Sequence, residues 1–215
     1  AKSGYFVLDG DQILESSWDS VNESYVTTLP TVISGKSVVA WREEGTLNLI
    51  KPGRIARQYN SSGLYVKLSP IFETASWLQS NQNWYYQKQG QLVKDAWINN
   101  QGTWYFMDDE GVMFNQTWLY RGGSWYAFKS SGAMIANDWL YDQGKWYYLS
   151  TSGSMKASTW IFDKGEWYYV SSSGAMIAND WVKDNGKWYY LASSGKMLRN
   201  TYTPDGYYVG HSGAW

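Results

Sequence analysis

Aromatic and β-branched residues recur along the second half of the chain at an interval of about 20 residues. In each unit a leading tryptophan opens a short apolar run, a polar turn containing glycine follows, and a second tryptophan stands seven positions after the first. Two short runs on either side of a tight turn predict a β-hairpin. A polar segment that ends in Gly–x–Met then leads to the next hairpin in several of the units. No segment shows the 3.6-residue apolar spacing of an amphipathic helix.

Six such units are clear between residues 77 and 202. Their leading tryptophans are 20 residues apart at the first step and 21 residues apart at every later step. The leading residues are Trp77, Trp97, Trp118, Trp139, Trp160 and Trp181, and the second tryptophans are Trp84, Trp104, Trp125, Trp146, Trp167 and Trp188. Self-similarity at a fixed period is typical of a solenoid, in which each unit buries its apolar face against its neighbours. The sequence therefore predicts an all-β, repetitive solenoid of β-hairpins.

The two ends of the chain follow the same pattern less faithfully. The steps from Trp18 to Trp41, to Tyr59 and to Trp77 are 23, 18 and 18 residues, and aliphatic residues replace most of the tryptophans. We interpret residues 1–76 as degenerate repeats, with a small separate β domain as the alternative. Residues 77–215 are the repeat module, and the segment from Tyr202 onward is its cap, because the end repeat of a solenoid lacks one neighbour.

Composition excludes several classes of function. The 40 aromatic residues (15 Trp, 19 Tyr and 6 Phe) make up 19% of the 215 residues, which predicts either a repeat core or a binding surface. The net charge of −1 gives no electrostatic basis for binding nucleic acid or an anionic membrane. Cysteine is absent, so disulfides and thiolate metal sites are excluded. No apolar run approaches the ~20 residues of a membrane span, and we expect that any export signal has been removed.

The order of the aromatic residues indicates a binding site at each junction between units. Successive side chains of a strand point to opposite faces, so Trp146 and Tyr148 share one face and Tyr147 takes the other. We expect Trp139 to lie across from Trp146, and the third aromatic of the next unit to complete a cage. A cage of aromatic faces with no carboxylate nearby selects a large, weakly hydrated cation such as a quaternary ammonium. Methionine closes the side of the cage, and the middle tyrosines pack hairpin on hairpin.

The run GKWYYLASSGKM at residues 186–197, the DNGKWYY turn and the 20–21-residue period resemble the choline-binding repeats of streptococcal surface proteins and cell-wall hydrolases. The match is specific over residues 77–202. It implies a left-handed solenoid that binds choline or phosphocholine on teichoic or lipoteichoic acid, with two tryptophans of one repeat and an aromatic of the next in each site. Asp138, Thr159 and Asp180 stand where the family usually has glycine, and we expect them to alter a backbone approach rather than the cage.

The resemblance implies a set of candidate choline sites when it is carried over residue by residue. The complete cages are Trp118 and Trp125 with Tyr148, Trp139 and Trp146 with Tyr169, and Trp160 and Trp167 with Tyr190. Trp77 and Trp84 with Phe106 are expected to be usable. Trp97 and Trp104 face Ala127 and form a weak site unless Phe128 turns in, while Trp181 and Trp188 meet a shortened hairpin that leaves their site in doubt. The candidate side walls are Met155, Met176 and Met197.

No catalytic constellation is evident in the sequence. The single histidine, His211, lies in the tail three residues after Tyr208, so we expect no histidine-based triad or zinc site. The acidic residues 108–110 are interpreted as a solvated turn. We therefore expect a non-catalytic protein or module without cofactor or metal, secreted and attached non-covalently to the bacterial cell wall. Two alternatives remain: the anchoring module of a peptidoglycan hydrolase whose catalytic domain lies outside this chain, and a glucan-binding repeat array. Residues 1–76 are a candidate surface for another surface or host protein.

Overall fold

A computed structural model describes residues 5–8, 13–15, 17–22, 24–57 and 66–215. These residues form strands and turns, and no helix occurs among them, which confirms the predicted all-β class. It follows that none of the described segments is a helix that could cross a membrane. The predicted leading position at Tyr59 lies outside the described residues.

The described residues of the first part of the chain form ten short strands. They are β1 (Tyr5–Leu8), β2 (Ile13–Glu15), β3 (Ser17–Asp19), β4 (Ser24–Leu29), β5 (Val32–Ile33), β6 (Lys36–Ser37), β7 (Ala40–Glu43), β8 (Leu49–Ile50), β9 (Gly53–Arg57) and β10 (Val66–Ile71). They assemble into a five-stranded sheet in the order β2-β1-β10-β7-β8, a three-stranded sheet in the order β3-β4-β9, and the hairpin β5-β6. The pairing of β1 with β10 is parallel and joins segments that are far apart in sequence.

Two of the hairpins expected in this region are present within those larger sheets. Trp18 pairs with Tyr25 across β3 and β4, and Trp41 pairs with Ile50 across β7 and β8. Trp41 is fully buried in a cluster with Leu29, Val38 and Leu68, and its indole N–H donates to a backbone carbonyl. Non-local sheets distinguish this region from a row of separate hairpins, and its descent from repeats stays a prediction.

The rest of the chain is a series of antiparallel hairpins. Their strands are β11 (Ala75–Ser80), β12 (Asn83–Lys88), β13 (Gln91–Leu92), β14 (Ala96–Asn100), β15 (Thr103–Met107), β16 (Trp118–Arg121), β17 (Ser124–Ala127), β18 (Asp138–Asp142), β19 (Lys145–Leu149), β20 (Thr159–Asp163), β21 (Glu166–Val170), β22 (Asp180–Asp184), β23 (Lys187–Leu191), β24 (Thr201–Tyr202) and β25 (Tyr208–Val209). Each sheet here has two strands, except that β13 joins β11 and β12.

Tight turns with positive φ angles connect the two strands of each complete hairpin. In the hairpin β18-β19, Gln143 has a φ of 46° and Gly144 a φ of 81°. Two successive residues in this region make a type I′ turn, whose twist matches that of the flanking strands. The polar, glycine-containing turns predicted between the paired tryptophans therefore close tight β-hairpins.

The chain divides into two compact units. The first comprises residues 1–100 with 105–114, and the second comprises residues 101–104 with 115–215. In the second unit, Leu149, Val170 and Leu191 end the second strands of successive hairpins and are fully buried. The functional boundary that we predicted at residue 77 stays a prediction, as does the handedness of the solenoid.

The Gly–x–Met segments connect successive hairpins of the second unit. The backbone N–H of Met155 donates to the carbonyl of Trp125 at 2.8 Å, and Met176 and Met197 make the same bond to Trp146 and Trp167. Each methionine also lies over the glycine of the following segment: a Cβ at Gly174 would come within 2.6 Å of the Sδ and Cε atoms of Met155. The glycine is needed here both for its φ of 84° and for this close approach.

Candidate functional site

The strand register gives each hairpin two different faces. In β18-β19, Trp139 pairs with Tyr148, Tyr141 with Trp146, and Leu140 with Tyr147. Because side chains alternate along a strand, Trp139, Trp146 and Tyr148 lie on one face and Tyr147 lies on the other, as predicted. The residue directly across from Trp139 is Tyr148, however. The prediction that Trp146 would take this position is wrong, because Trp146 is two pairs further along, on the diagonal.

At four junctions the ring that the next unit contributes is the middle tyrosine of its triplet. The ring centroids of Trp118 and Tyr147 are 5.3 Å apart, and those of Trp139 and Tyr168 are also 5.3 Å apart. The same contact joins Trp160 to Tyr189 at 5.1 Å and Trp77 to Tyr105 at 4.8 Å. The face of each hairpin that carries the middle tyrosine is therefore the face turned toward the preceding unit.

This arrangement corrects the predicted third members of the cages. Tyr148, Tyr169, Tyr190 and Phe106 were expected to reach back to the preceding unit. Each shares a face with the second tryptophan of its own hairpin, and that face is turned forward. Tyr148 instead meets Trp139 of its own hairpin edge-on at 5.1 Å, and its hydroxyl donates to Asn137 at 3.0 Å.

The other residues that were predicted as third members of the cages also contact the leading tryptophan of their own hairpin. Tyr169 contacts Trp160 at 5.1 Å, Tyr190 contacts Trp181 at 5.3 Å, and Phe106 contacts Trp97 at 5.2 Å. All of these contacts are within one hairpin. The third aromatic therefore supports the leading tryptophan from the side, while the middle tyrosine, which we had assigned to packing alone, lines the junction.

The junction after Trp118 contains an open cavity of about 380 Å³. Its walls include both tryptophans of one hairpin, Trp118 and Trp125, together with Tyr147 and Met155 of the next. The two tryptophan rings are nearly perpendicular, with centroids 6.5 Å apart. Met155 thus lies on the side of the cavity, and the equivalent backbone bonds put Met176 and Met197 at the two following junctions.

The last junction has an additional tryptophan in place of the methionine. Trp215 follows Gly213 in a Gly–x–Trp segment. Its backbone N–H donates to the carbonyl of Trp188, as the backbone N–H of Met197 donates to Trp167 one unit earlier. A cavity of about 550 Å³ is lined by Trp181, Trp188, Tyr207 and Trp215. Tyr207 and Trp215 lie 5.9 Å and 6.3 Å from Trp181. The shortened hairpin therefore completes the ring set of a junction that the sequence had left in doubt.

Ala127 has a different role from the predicted one. It pairs with Trp118 inside its own hairpin and is buried, as is Phe128. The missing aromatic at this position therefore removes the lateral support of Trp118. Trp97 belongs to the first compact unit and Trp104 to the second, and their predicted weak site stays a prediction.

The sequence analysis had assumed cages without a nearby carboxylate, but four of the junctions contain one. The indole Nε1–H of Trp118 donates to Asp142 at 3.0 Å, that of Trp139 to Asp163 at 3.2 Å, that of Trp160 to Asp184 at 3.2 Å and that of Trp181 to Asp205 at 2.9 Å. The aspartate in each case ends the first strand of the next hairpin or takes that position in the cap. A hydrogen bond from the Thr203 hydroxyl, and then the one from the Trp181 indole, lower the pKa of Asp205.

The residues that replace the family's glycine before the leading tryptophan act locally in two cases. Asp138 and Asp180 accept a hydrogen bond from the backbone N–H of Trp139 and Trp181 at 2.8 Å and 2.7 Å. Asp180 also lines the last cavity, so the expectation that this position leaves the cage unchanged is wrong for the last junction.

Exposed side chains cover the outer side of the second tryptophans, a feature that the sequence analysis missed. These indoles are 38–44% exposed. Tyr120, Tyr141 and Phe162 pack against Trp125, Trp146 and Trp167 with centroids 5.1, 5.0 and 4.9 Å apart. In the following hairpin, the Nζ atom of Lys183 lies over the Trp188 ring at 5.7 Å. The available signal was the aromatic residue two positions after three of the leading tryptophans, Trp118, Trp139 and Trp160.

The acidic residues 108–110 form a turn, as interpreted from the sequence. The Oδ1 atom of Asp108 accepts hydrogen bonds from the backbone N–H groups of Glu110 and Val112 at 3.0 and 2.7 Å. Among the residues described above, no group of three or more histidine, cysteine, aspartate or glutamate side chains is placed to hold a metal ion.

Hairpins that meet at aromatic junctions define a repeat-type binding module. A family model described as the choline-binding repeat matches residues 133–175, 154–189 and 175–215, and a cell-wall-binding repeat model matches residues 95–113. The chain belongs to the choline-binding repeat family, and the resemblance seen in its sequence is confirmed. No curated protein matches it.

Several solved structures from Streptococcus pneumoniae are similar to the chain. The choline-binding domain of Spr1274 is 41% identical, with 38% of this chain and 94% of that chain covered and a TM-score of 0.35. Choline-binding protein F, solved with a peptidoglycan analogue, is 28% identical, with 96% and 77% covered and a TM-score of 0.43. The modular autolysin LytC is 26% identical, with 66% and 41% covered and a TM-score of 0.29.

Proposed function

We infer that this chain binds the choline groups of bacterial cell-wall teichoic or lipoteichoic acids through the aromatic junctions between its hairpins. The observation that supports this function most directly is the repeated set of two tryptophans, one tyrosine and one methionine around an open cavity. Aromatic faces attract a quaternary ammonium ion electrostatically, and tryptophan does so best. The soft thioether of methionine suits the methyl groups of such a cation.

Five junctions have the required side chains. Four consist of two tryptophans, the next unit's middle tyrosine and its methionine: Trp77, Trp84, Tyr105 and Met113; Trp118, Trp125, Tyr147 and Met155; Trp139, Trp146, Tyr168 and Met176; Trp160, Trp167, Tyr189 and Met197. The fifth, of Trp181, Trp188, Tyr207 and Trp215, has a ring in the methionine position. We propose these as the choline sites, with Tyr148, Tyr169, Tyr190 and Phe106 as supports of the leading tryptophans.

Attachment to the wall depends on many weak contacts. One cage around a small cation is expected to bind on the order of millimolar, because a ligand with few atoms has little surface to bury. A teichoic acid presents many phosphocholine groups, so each later contact is intramolecular. The avidity then exceeds the affinity of one site by ~10²–10⁴.

Tryptophan fluorescence and thermal unfolding test this function together. Millimolar choline should change the emission of the full-length chain and raise its Tm, because a ligand that binds only the folded state stabilises it by mass action. An α-glucan at the same concentration is the matched control. A response to the glucan and none to choline would replace this proposal with the glucan-binding alternative.

We propose that the chain itself is non-catalytic and is secreted to the wall. The single histidine, His211, lies in the cap, where its Nδ1 atom is 3.3 Å from the Nδ2 atom of Asn200. The alternative is the anchoring module of a hydrolase, which the similarity to a modular autolysin favours. Assay of the full gene product on purified cell walls distinguishes the two.

Residues 1–76 are proposed to face another surface or host protein rather than choline. Within their described part, Trp18 and Trp41 are the tryptophans, and Trp41 is fully buried. Arg54 forms an exposed ion pair with Asp19 at 3.2 Å, and Lys67 pairs with Glu44 at 3.5 Å. Charged, exposed side chains of this kind suit the polar rim of a protein interface.

A further inference from the structure

The four aspartates at the junctions form no ion pair with a cationic side chain of the described residues. Asp142, Asp163, Asp184 and Asp205 each accept the indole N–H of a leading tryptophan through Oδ2. None of them takes part in the ion pairs of the described residues. Two of them, Asp142 and Asp205, directly line the cavities. A negative charge is therefore kept beside four of the five cages, and no counter-ion for it occurs among the described residues.

We propose that these four aspartates are binding residues for the ammonium group, which supply the counter-charge that the aromatic rings lack. The proposal rests on the proposed choline function and specifies how each of these sites recognises its ligand. The indole hydrogen bond uses one carboxylate oxygen and fixes the side chain at the cage. In Asp142 and Asp163 the other oxygen, Oδ1, makes no hydrogen bond within the described part of the chain and remains available to a ligand.

The surroundings of these aspartates are consistent with a negative potential in the junction. Burial, followed by the charges of Asp163 and Asp138, raises the pKa of the Tyr148 hydroxyl, which adjoins Trp139. A field that disfavours a phenolate favours a cation at the same place. It also orients a zwitterionic phosphocholine: the ammonium enters the cage, and the phosphate stays outside, away from the carboxylate.

The first junction has an asparagine in place of the aspartate, so the effect of the charge can be compared within the same chain. The residue three positions after the leading tryptophan is Asp142, Asp163 and Asp184 in three successive hairpins, but it is Asn100 in the hairpin that follows Trp77. The Trp77 junction keeps Tyr105 at 4.8 Å. We therefore expect it to bind choline more weakly than the Trp139 junction and with less dependence on salt concentration.

Site-resolved fluorine NMR of the full-length chain labelled with 5-fluorotryptophan tests the proposal. The variant is Asp163→Asn, which keeps an oxygen that can accept from Trp139 and removes only the charge. Two ligands are titrated: choline, and 3,3-dimethyl-1-butanol, its neutral isostere with carbon in place of nitrogen. Asn100→Asp is the reciprocal variant, and the Trp118 and Trp125 signals serve as the internal control.

Asp163→Asn should weaken choline binding at the Trp139 junction about threefold, a modest change because the carboxylate is partly exposed. Binding of the neutral isostere should not change, and Asn100→Asp should strengthen choline binding at the Trp77 junction. An equal loss for both ligands would overturn the proposal, since the aspartate would then only orient the indole. Unchanged choline binding would overturn it as well. If choline shifts no tryptophan signal in the parent protein, the proposed function itself fails, a result distinct from the other two.

Discussion

Adjacent residues of one strand are predicted to serve two different choline sites. Trp146 faces forward and belongs to the junction of Trp139 with Tyr168, whereas Tyr147 faces back and meets Trp118 at 5.3 Å. Trp146→Ala should therefore weaken the Trp139 site and spare the Trp118 site. Tyr147→Ala should do the opposite. Strand geometry places the two side chains on opposite faces, but it does not determine which face meets which neighbouring hairpin.

The expected size of each effect follows from the loss of one ring from a partly exposed cage. A cation–π contact contributes ~0.5–1 kcal/mol at exposed sites and ~2 kcal/mol when desolvated. Since the cavity is open on one side, about 1–2 kcal/mol is expected, which corresponds to a decrease in affinity of roughly 5- to 30-fold at the affected site. Tyr147→Ala should also lower the Tm, because it removes a half-buried aromatic side chain from the hairpin contact.

The assay is a choline titration followed by the separate fluorine signals of Trp118, Trp125, Trp139 and Trp146 in protein labelled with 5-fluorotryptophan. Tyr148→Phe is the matched control, since it keeps the ring against Trp139 and removes only the hydroxyl. Loss of the Trp139 site in Tyr147→Ala, with the Trp118 site intact, would refute the assignment of faces. Equal weakening of both sites by both variants would refute it too.

Three other changes have defined outcomes. Trp215→Met should convert the last junction into an ordinary one and weaken its choline affinity severalfold, measured by the fluorine signal of Trp181; an unchanged affinity would contradict the role of this ring. Gly174→Ala should lower the Tm by several degrees and displace Met155, because the φ of 84° disfavours alanine and the new Cβ would meet the methionine side chain; a Tm equal to that of the parent would show that the close approach is not tight. The pKa of Asp205 is lowered in the folded state, so the ionised carboxylate should stabilise the fold fully above the ordinary aspartate pKa of about 3.9. This stabilisation should be lost as the pH falls through the lower folded-state pKa. Asp205→Asn should therefore flatten the dependence of Tm on pH in this range, and identical pH profiles for variant and parent would contradict the prediction.

The repeat pattern was sufficient to predict the hairpins but not their assignment to junctions. The spacing of seven residues between paired tryptophans, with an Asp–x–Gly turn between them, determines the register because a two-residue turn leaves one pairing for the flanking strands. The alternation of Trp146, Tyr147 and Tyr148 between the two faces followed from strand geometry. Which face meets which neighbour depends on how one hairpin stacks on the next, and this is a property of the solenoid that a single unit does not encode.

The carboxylates were missed because they belong to a different part of the motif. Asp142 and Asp163 stand two positions before the glycine of their turns, where aspartate is common, so the turn pattern gave no reason to assign them to binding. Their side chains reach the preceding hairpin, 24 positions back in the sequence, where each accepts a hydrogen bond from the indole N–H of the leading tryptophan. A buried or half-buried indole usually finds an acceptor, and this rule, applied to each leading tryptophan, would have pointed to a residue of the next unit.

The non-local sheets in the first part of the chain could not be predicted from the repeat pattern either. The spacing at Trp18 and Trp41 predicted two hairpins that are present. The parallel pairing of β1 with β10 and the pairing of β4 with β9 join strands separated by long stretches of chain. Such pairings depend on tertiary packing around Leu29, Trp41 and Leu68 rather than on any local period.

A crystal structure of the chain grown with choline is the most direct test of the central claim. We predict a choline ammonium group between the two tryptophans of one hairpin and the middle tyrosine of the next, as at Trp139, Trp146 and Tyr168, with Asp163 beside it. Occupancy should be present at the last junction, against Trp215. Choline bound only elsewhere on the surface, with the junction cavities empty at saturating ligand, would contradict the claim.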